Sequence, residues 1–262
     1  MPAHRRAFTV AITCISRVLI LRDRVCYALR IFRRSDQPGA SVSRHSIQSG
    51  ANRLDAAFVA PADGPARAAV LICHGIGETV EYWLPVQQLL ASRGVVSLIF
   101  DYSGFGKSAG LPDWSQFEHD AVAAFDYLQE LEPELPKSVL GFSLGSGVAA
   151  ATIKKLAAER LVLCAAFASF RGAARLVGIP EALSFLVPPI WHAGESLSDC
   201  TLPVLIVHGA NDRLIPVETV SELVAHCGRN AQLVVVPDME HNQPFRKPTL
   251  SFWGPVIAHL IA

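Results

Sequence analysis

The sequence predicts an α/β protein with a mostly parallel central sheet of about eight strands flanked by helices. Three observations carry that expectation. Short apolar runs at 68–73 and 95–100 read as strands buried on both faces, and further strand-like runs follow at 161–166, 203–207 and 233–236. Stretches of helical spacing separate them, which makes successive strands neighbours through crossovers. Finally, seven residues, Gly141-Phe142-Ser143-Leu144-Gly145-Ser146-Gly147, join the apolar run 138–140 to a helix-forming run at 148–156. That context is strand, sharp turn, helix.

Taken in order, residues 1–40 stand apart from the rest. Residues 1–34 hold eight arginines against one acid, Asp23, a balance of +7 that the remaining chain offsets with −7. The uncharged stretch 7–16 is interrupted by Arg17, has no small-residue cleavage pattern after it, and is shorter than the roughly 20 residues needed to cross a bilayer. Residues 18–32 alternate arginines with large apolar side chains, so the segment is expected to be either a poorly ordered extension or a basic amphipathic element making weak contact with an anionic membrane surface. The domain itself is expected over 41–262, as one core.

Within it, 43–48 and 54–59 read as an antiparallel edge pair, closed by the turn residues Pro61-Ala62-Asp63-Gly64-Pro65. The strand 68–73 runs into His74-Gly75-Ile76-Gly77-Glu78, and a helix is expected from about 82 to 92, where Gly94 stops it. After the strand 95–100 comes a glycine-rich loop, 101–108, and then helical spacing over 117–131. Residues 170–202 form a longer apolar excursion between the sixth and seventh strands, placed where a short cap over a pocket would arise.

Composition bounds the function. With 51% apolar and 18% charged residues the chain is globular, and no basic, aromatic-rich cluster within the domain points to nucleic acid. The six cysteines form no C-x-x-C pair and read as reduced and structural, which favours a reducing, cytoplasmic setting. Neither metal-ligand spacing nor a phosphate-binding glycine signature is present, so no cofactor or metal is expected. The sequence carries no information on oligomeric state.

The chemistry is expected at Ser143. On a strained strand-to-helix turn its hydroxyl is exposed above the sheet, and Gly141 and Gly145 stand where a side chain would strike neighbouring backbone. A serine needs a base, and the base needs an orienting carboxylate. Asp212 follows the strand 204–207 and His241 follows the last strand, giving the chain order Ser, Asp, His. Asp199, Glu218 and Asp238 compete with Asp212. Asp199 lies at the wrong end of its strand, whereas Asp238, close to His241, stays open. For the developing oxyanion, backbone amides of Leu144 and Ile76 are the candidates, with Gly75 and Gly77 letting the second turn inward.

Together, His74 to Glu78, Asp101 to Ser108, Gly141 to Gly145, His208 to Asp212 and the late His241 give H-G-x-G-E, D-Y-x-G-F-G-x-S, G-x-S-x-G, H-G-x-x-D and His in succession. In this the chain resembles the α/β-hydrolase superfamily over residues 42–262, nearest its serine aminopeptidase-like and monoacylglycerol lipase-like branch. The resemblance implies Ser143 as nucleophile, Asp212 as acid, His241 as base, Ile76 and Leu144 as oxyanion donors, and a structural role for the 101–108 loop. It departs in its cap, which is smaller than the helical caps of many lipase-like members. The expected activity is hydrolysis of a small or hydrophobic ester or thioester through an acyl-enzyme. Two alternatives are a peptidase, for which Glu78, Glu181 or Glu195 would have to receive a substrate amine, and a catalytically silent binding protein on the same fold.

Overall fold

The computed structural model describes residues 39–176 and 178–262; expectations for residues 1–38 lie outside them. The chain forms β1 (Ala40–Ser49), β2 (Asn52–Pro61), β3 (Ala68–Cys73), α1 (Val80–Ala91), β4 (Val95–Phe100), α2 (Trp114–Leu131), β5 (Lys137–Phe142), α3 (Leu144–Thr152) and β6 (Arg160–Cys164). It continues through α4 (Phe170–Leu176), α5 (Ala193–Leu197), β7 (Val204–Gly209), α6 (Val220–Cys227), β8 (Ala231–Val236), α7 (Gln243–Arg246) and α8 (Leu250–Ile261).

The eight strands make one sheet in the order β1-β2-β4-β3-β5-β6-β7-β8. β1 pairs antiparallel with β2, and β2 antiparallel with β4; every other pairing is parallel. The expected edge hairpin is therefore present, and it begins at Ala40, one residue before the anticipated boundary. β3, β4, β5 and β7 are buried along their whole length. Such strands must be apolar on both faces, which is why they read as continuous runs instead of alternating ones.

The interior has two halves, one on each face of the sheet. α1 and α8 cover one with Trp83, Val86, Leu90, Phe252, Trp253 and Val256. α2, α3 and α6 cover the other with Phe117, Phe125, Val148, Ala149, Val220 and Leu223. α8 was not expected. Gly254 and Pro255 argue against a helix at that point, yet burial of Phe252, Trp253, Val256, Ile257 and Leu260 outweighs the weak local preference.

Helix starts are satisfied from different sources. Asp113 caps α2 through a bond from the Ser115 amide at 3.0 Å. α1 has no cap from Thr79; the Asp101 carboxylate, 21 residues further on, accepts the Val80 amide at 2.8 Å. Asp101 also accepts the Lys107 amide at 3.2 Å, Ser108 Oγ donates back to the Asp101 carbonyl at 2.5 Å, and a Cβ on Gly106 would fall on the carboxylate. The 101–108 loop thus has the structural role expected of it.

Residues 170–202 hold α4, a 3-10 turn at Glu181–Leu186 and α5, between β6 and β7. Trp191 anchors this segment, packed between Trp114, Phe117 and Phe170 with its indole N–H donated to Glu118. Leu176, Leu183, Phe185 and Leu186 face solvent, Phe185 at 72% exposure. Cys73, Cys164, Cys200 and Cys227 are free and buried, in keeping with a structural role; Cys14 and Cys26 lie outside the described residues.

Candidate active site

Ser143 sits between β5 and α3 with φ 52° and ψ −118°, a conformation that costs a non-glycine residue free energy and is held only by its surroundings. Those surroundings are mainly backbone. The Ser143 amide donates to the Cys164 carbonyl at 2.9 Å, and its own carbonyl accepts from the Ser146 amide at 2.9 Å and Ser146 Oγ at 2.6 Å. A Cβ on Gly145 would fall on the carbonyl oxygen of Cys73, and one on Gly141 would strike the Gly145 carbonyl and stand 2.6 Å from Ser146 Cα. Only glycine allows α3 to start this close to β3. Leu144 opens α3, so its amide is one of the donors a helix leaves without an internal partner, at the positive end of the helix dipole.

Asp212 follows β7, its Oδ1 accepting the amides of Leu214 and Ile215, both at 2.9 Å. Its Oδ2 lies 2.6 Å from His241 Nδ1, and His241 Nε2 lies 3.1 Å from Ser143 Oγ. A carboxylate only accepts, so Nδ1 carries the proton and Nε2 presents its lone pair to the hydroxyl. Burial would raise the pKa of Asp212, but the neighbouring His208 and His241 rings and the Ile215 amide hold it well below the usual carboxylate range. Ser143, Asp212 and His241 are 7%, 4% and 9% exposed.

The rivals fall away on position. Asp238 is exposed in a left-handed turn, φ 54°, while the His241 nitrogen it would need is taken by Asp212. Asp199 is exposed beside Lys154, and Glu218 is exposed at the start of a short 3-10 turn. His208, in sequence an ordinary loop histidine, is fully buried, donating Nε2–H to the Ile215 carbonyl at 2.7 Å and standing 3.4 Å from Asp212 Oδ2.

The loop after β3 brings the second candidate donor to the same sheet edge. His74 is buried and kept neutral, its pKa lowered to about 4 by desolvation, and its Nδ1 donates to the Gly75 carbonyl at 2.8 Å. Tyr102 donates its hydroxyl to the His74 carbonyl at 3.2 Å. Gly77 takes φ 77°, which only glycine adopts without strain, and Ile76 between the two glycines is half-buried. Glu78 turns inward: its Oε2 accepts the Gly75 amide at 2.9 Å and the Trp83 indole N–H at 2.8 Å. Burial pushes its pKa up to about 7 against those bonds and the attraction of Arg246. Glu78 is thereby committed inside the fold, and Glu181 and Glu195 are exposed, Glu181 beside Arg175; the three do not form an amine subsite.

A cavity of about 370 Å³ lies between α4 and the start of α6, lined by Phe167, Ser169, Leu176, Glu218, Thr219 and Glu222 among others. Its lining does not include Ser143, Asp212 or His241. Among the described residues no cluster of three His, Cys, Asp or Glu could hold a metal, and no helix is long and apolar enough to cross a membrane.

Residues 64–191, which contain the elbow after β5 and end before Asp212 and His241, fit the model of the Hydrolase_4 family, described as serine aminopeptidase, S33. The chain has the α/β-hydrolase fold, and over those residues it is similar to that family. Solved structures of this α/β-hydrolase fold include a cold-adapted esterase from an Arctic intertidal metagenomic library, with TM-score 0.63 and 21% identity over 87% of this chain and 95% of that one. Another is Est1E from Butyrivibrio proteoclasticus, solved with ferulic acid, with TM-score 0.68 and 21% identity over 81% of this chain and 96% of that one. Among curated sequences, an uncharacterized protein of Mycobacterium tuberculosis H37Rv is 29% identical over 196 residues, 73% of this chain and 69% of its own length. The mouse lysophosphatidylserine lipase ABHD12 is 26% identical over 190 residues, 65% of this chain but 46% of the lipase. The matched region therefore spans less than half of that lipase's length.

Proposed function

We propose that this α/β hydrolase is a serine hydrolase cleaving a carboxylic ester or thioester of a small or hydrophobic acyl group. The observation that carries the reading is the continuous chain Asp212–His241–Ser143, at 2.6 and 3.1 Å, with the serine on a strained elbow. Ser143 Oγ attacks the carbonyl carbon as its proton passes to His241 Nε2, and the carbonyl π pair moves to oxygen. The resulting oxyanion takes hydrogen bonds from the Leu144 and Ile76 amides. Collapse expels the alcohol or thiol, which receives the proton from the imidazolium that Asp212 stabilises. A water then gives its proton to His241 and attacks the acyl-Ser143 carbonyl; collapse of this second oxyanion breaks the bond to Ser143 Oγ, which takes the proton back from His241, and the acid leaves. Every step uses side chains and amides of this chain alone.

Esters are favoured over peptides because Glu78, one of the carboxylates that could receive a substrate amine, is occupied within the fold. The esterases and lipase among its relatives point the same way. Residues 1–34, with their eight arginines, are proposed to give a cytoplasmic protein weak contact with anionic membranes. A fluorophosphonate probe tests the core of the reading: it should label the parent protein and leave Ser143→Ala unlabelled, with acetyl and butyryl esters turned over and peptide amides spared. Equal labelling or turnover in Ser143→Ala would refute it.

A further inference from the structure

Glu78 is a buried carboxylate that the proposed proton chain does not use, and it touches the loop that carries one oxyanion donor. Two hydrogen bonds end on one of its oxygens: the Gly75 amide at 2.9 Å and the Trp83 indole at 2.8 Å. Gly75 immediately precedes Ile76. The other carboxylate oxygen lies 2.5 Å from where a Gly75 Cβ would stand, so the carboxylate rests directly on the main chain of the loop. Trp83, on α1, is fully buried. Its ring stacks on Phe245 at 5.8 Å and 20°, and meets Phe142 edge-on at 5.5 Å. Phe142 precedes Ser143 and packs 5.5 Å from the His241 ring, and Phe245 lies four residues beyond His241.

We infer that Glu78 is a positioning residue for the proposed hydrolysis: by holding the Gly75 amide and the Trp83 indole on one oxygen, it aims the Ile76 amide and ties its loop to the aromatic stack behind Ser143 and His241. The inference rests on the serine-hydrolase reading. A flexible loop between two glycines would sample many amide directions, and an oxyanion donor acts only if it is aimed before charge develops. A carboxyl oxygen shielded from water grips an amide firmly, and more strongly still when it is ionised. The contribution falls on the transition state, because the ground-state ester carbonyl needs the donor far less.

The test is steady-state kinetics on butyryl ester, with rates of fluorophosphonate labelling, for Glu78→Ala, Glu78→Gln, Trp83→Phe and Ser143→Ala, each checked by near-UV circular dichroism. Glu78→Ala should lose kcat by roughly 100-fold with KM within twofold, and labelling should slow in parallel. Glu78→Gln keeps a carbonyl acceptor and should recover kcat to within about tenfold of the parent. Trp83→Phe keeps the ring and loses the indole N–H, so it should lower kcat by about tenfold; it decides the matter if Glu78→Ala does not fold. A kcat unchanged in Trp83→Phe and in folded Glu78→Ala, or a loss confined to KM, overturns the positioning role. Turnover surviving in Ser143→Ala sinks the hydrolase reading and this one with it, so the two failures are distinguishable.

Discussion

His208 Nε2 stands 3.4 Å from Asp212 Oδ2, the oxygen that His241 takes at 2.6 Å, so one carboxylate oxygen is faced by two imidazoles. They do different work. His208 is buried, and its N–H is given to the Ile215 carbonyl, which braces the loop holding Asp212. His241 alone reaches the serine.

This division predicts an order of effects on esterase turnover. His241→Ala and Asp212→Asn should each lower kcat by about 10⁴-fold, the second by misorienting the imidazole. Asp238→Asn should leave it unchanged. His208→Gln should cost no more than about tenfold, expressed as a lower melting temperature as well. Equal losses in Asp212→Asn and Asp238→Asn would contradict the assignment.

At Gly145, alanine would drive a methyl group into the Cys73 carbonyl, backbone that has no rotamer to relieve it. Gly145→Ala should destabilise the protein by about 3 kcal/mol, and the displaced elbow should also slow labelling of Ser143. Urea unfolding together with a labelling time course checks both. Gly254→Ala, inside α8 where an added Cβ meets open space, is the contrasting control and should stabilise by about 0.5–1 kcal/mol.

Two opposing titrations are built into the loop after β3. Glu78, raised to about 7 by burial, binds a proton in the folded state that the unfolded chain has released above its ordinary value of 4.5. Its contribution therefore falls as pH rises from about 4.5 to 7, then levels. His74, lowered to about 4, resists the proton that the unfolded chain takes up below 6.5, so its contribution rises with pH across about 4 to 6.5. Relative to the parent, Glu78→Gln should gain stability between pH 4.5 and 7, by on the order of 3 kcal/mol, the linkage value of the shift. Denaturant melts of both proteins across that range measure it, and parallel curves would contradict it.

In the cap, anchor and exposed face should separate cleanly. Trp191→Ala removes a buried ring packed on three aromatic neighbours and should cost about 3–5 kcal/mol. Phe185→Ser, at an exposed position, should change stability by no more than about 0.5 kcal/mol. Chemical denaturation of the two variants decides it.

The parallel strands were legible because burial on both faces leaves β3 apolar and β4 and β7 apolar but for Ser97 and His208, and the elbow because its glycines are demanded by backbone contacts. α8 was hidden: its stability comes from tertiary burial of Trp253 and its neighbours, which no local pattern around Gly254-Pro255 reports. The motif order pointed to Asp212, but position along the chain alone left Asp238 open. Proximity along the chain favours Asp238, whereas pairing of β7 with β8 brings the ends of the two strands together and sets Asp212 beside His241. Glu78 looked like a candidate for binding a substrate amine, and only its inward rotation shows it occupied.

The sheet parts the interior so that Phe142, Trp83 and Phe245, which back the reacting groups, lie in one half, while Phe170, Trp191 and the wall residue Phe167 lie in the other. The packing behind Ser143 and His241 is therefore separate from the packing that anchors the cap, so the cap around Trp191 can be altered residue by residue without loosening the stack of Phe142, Trp83 and Phe245.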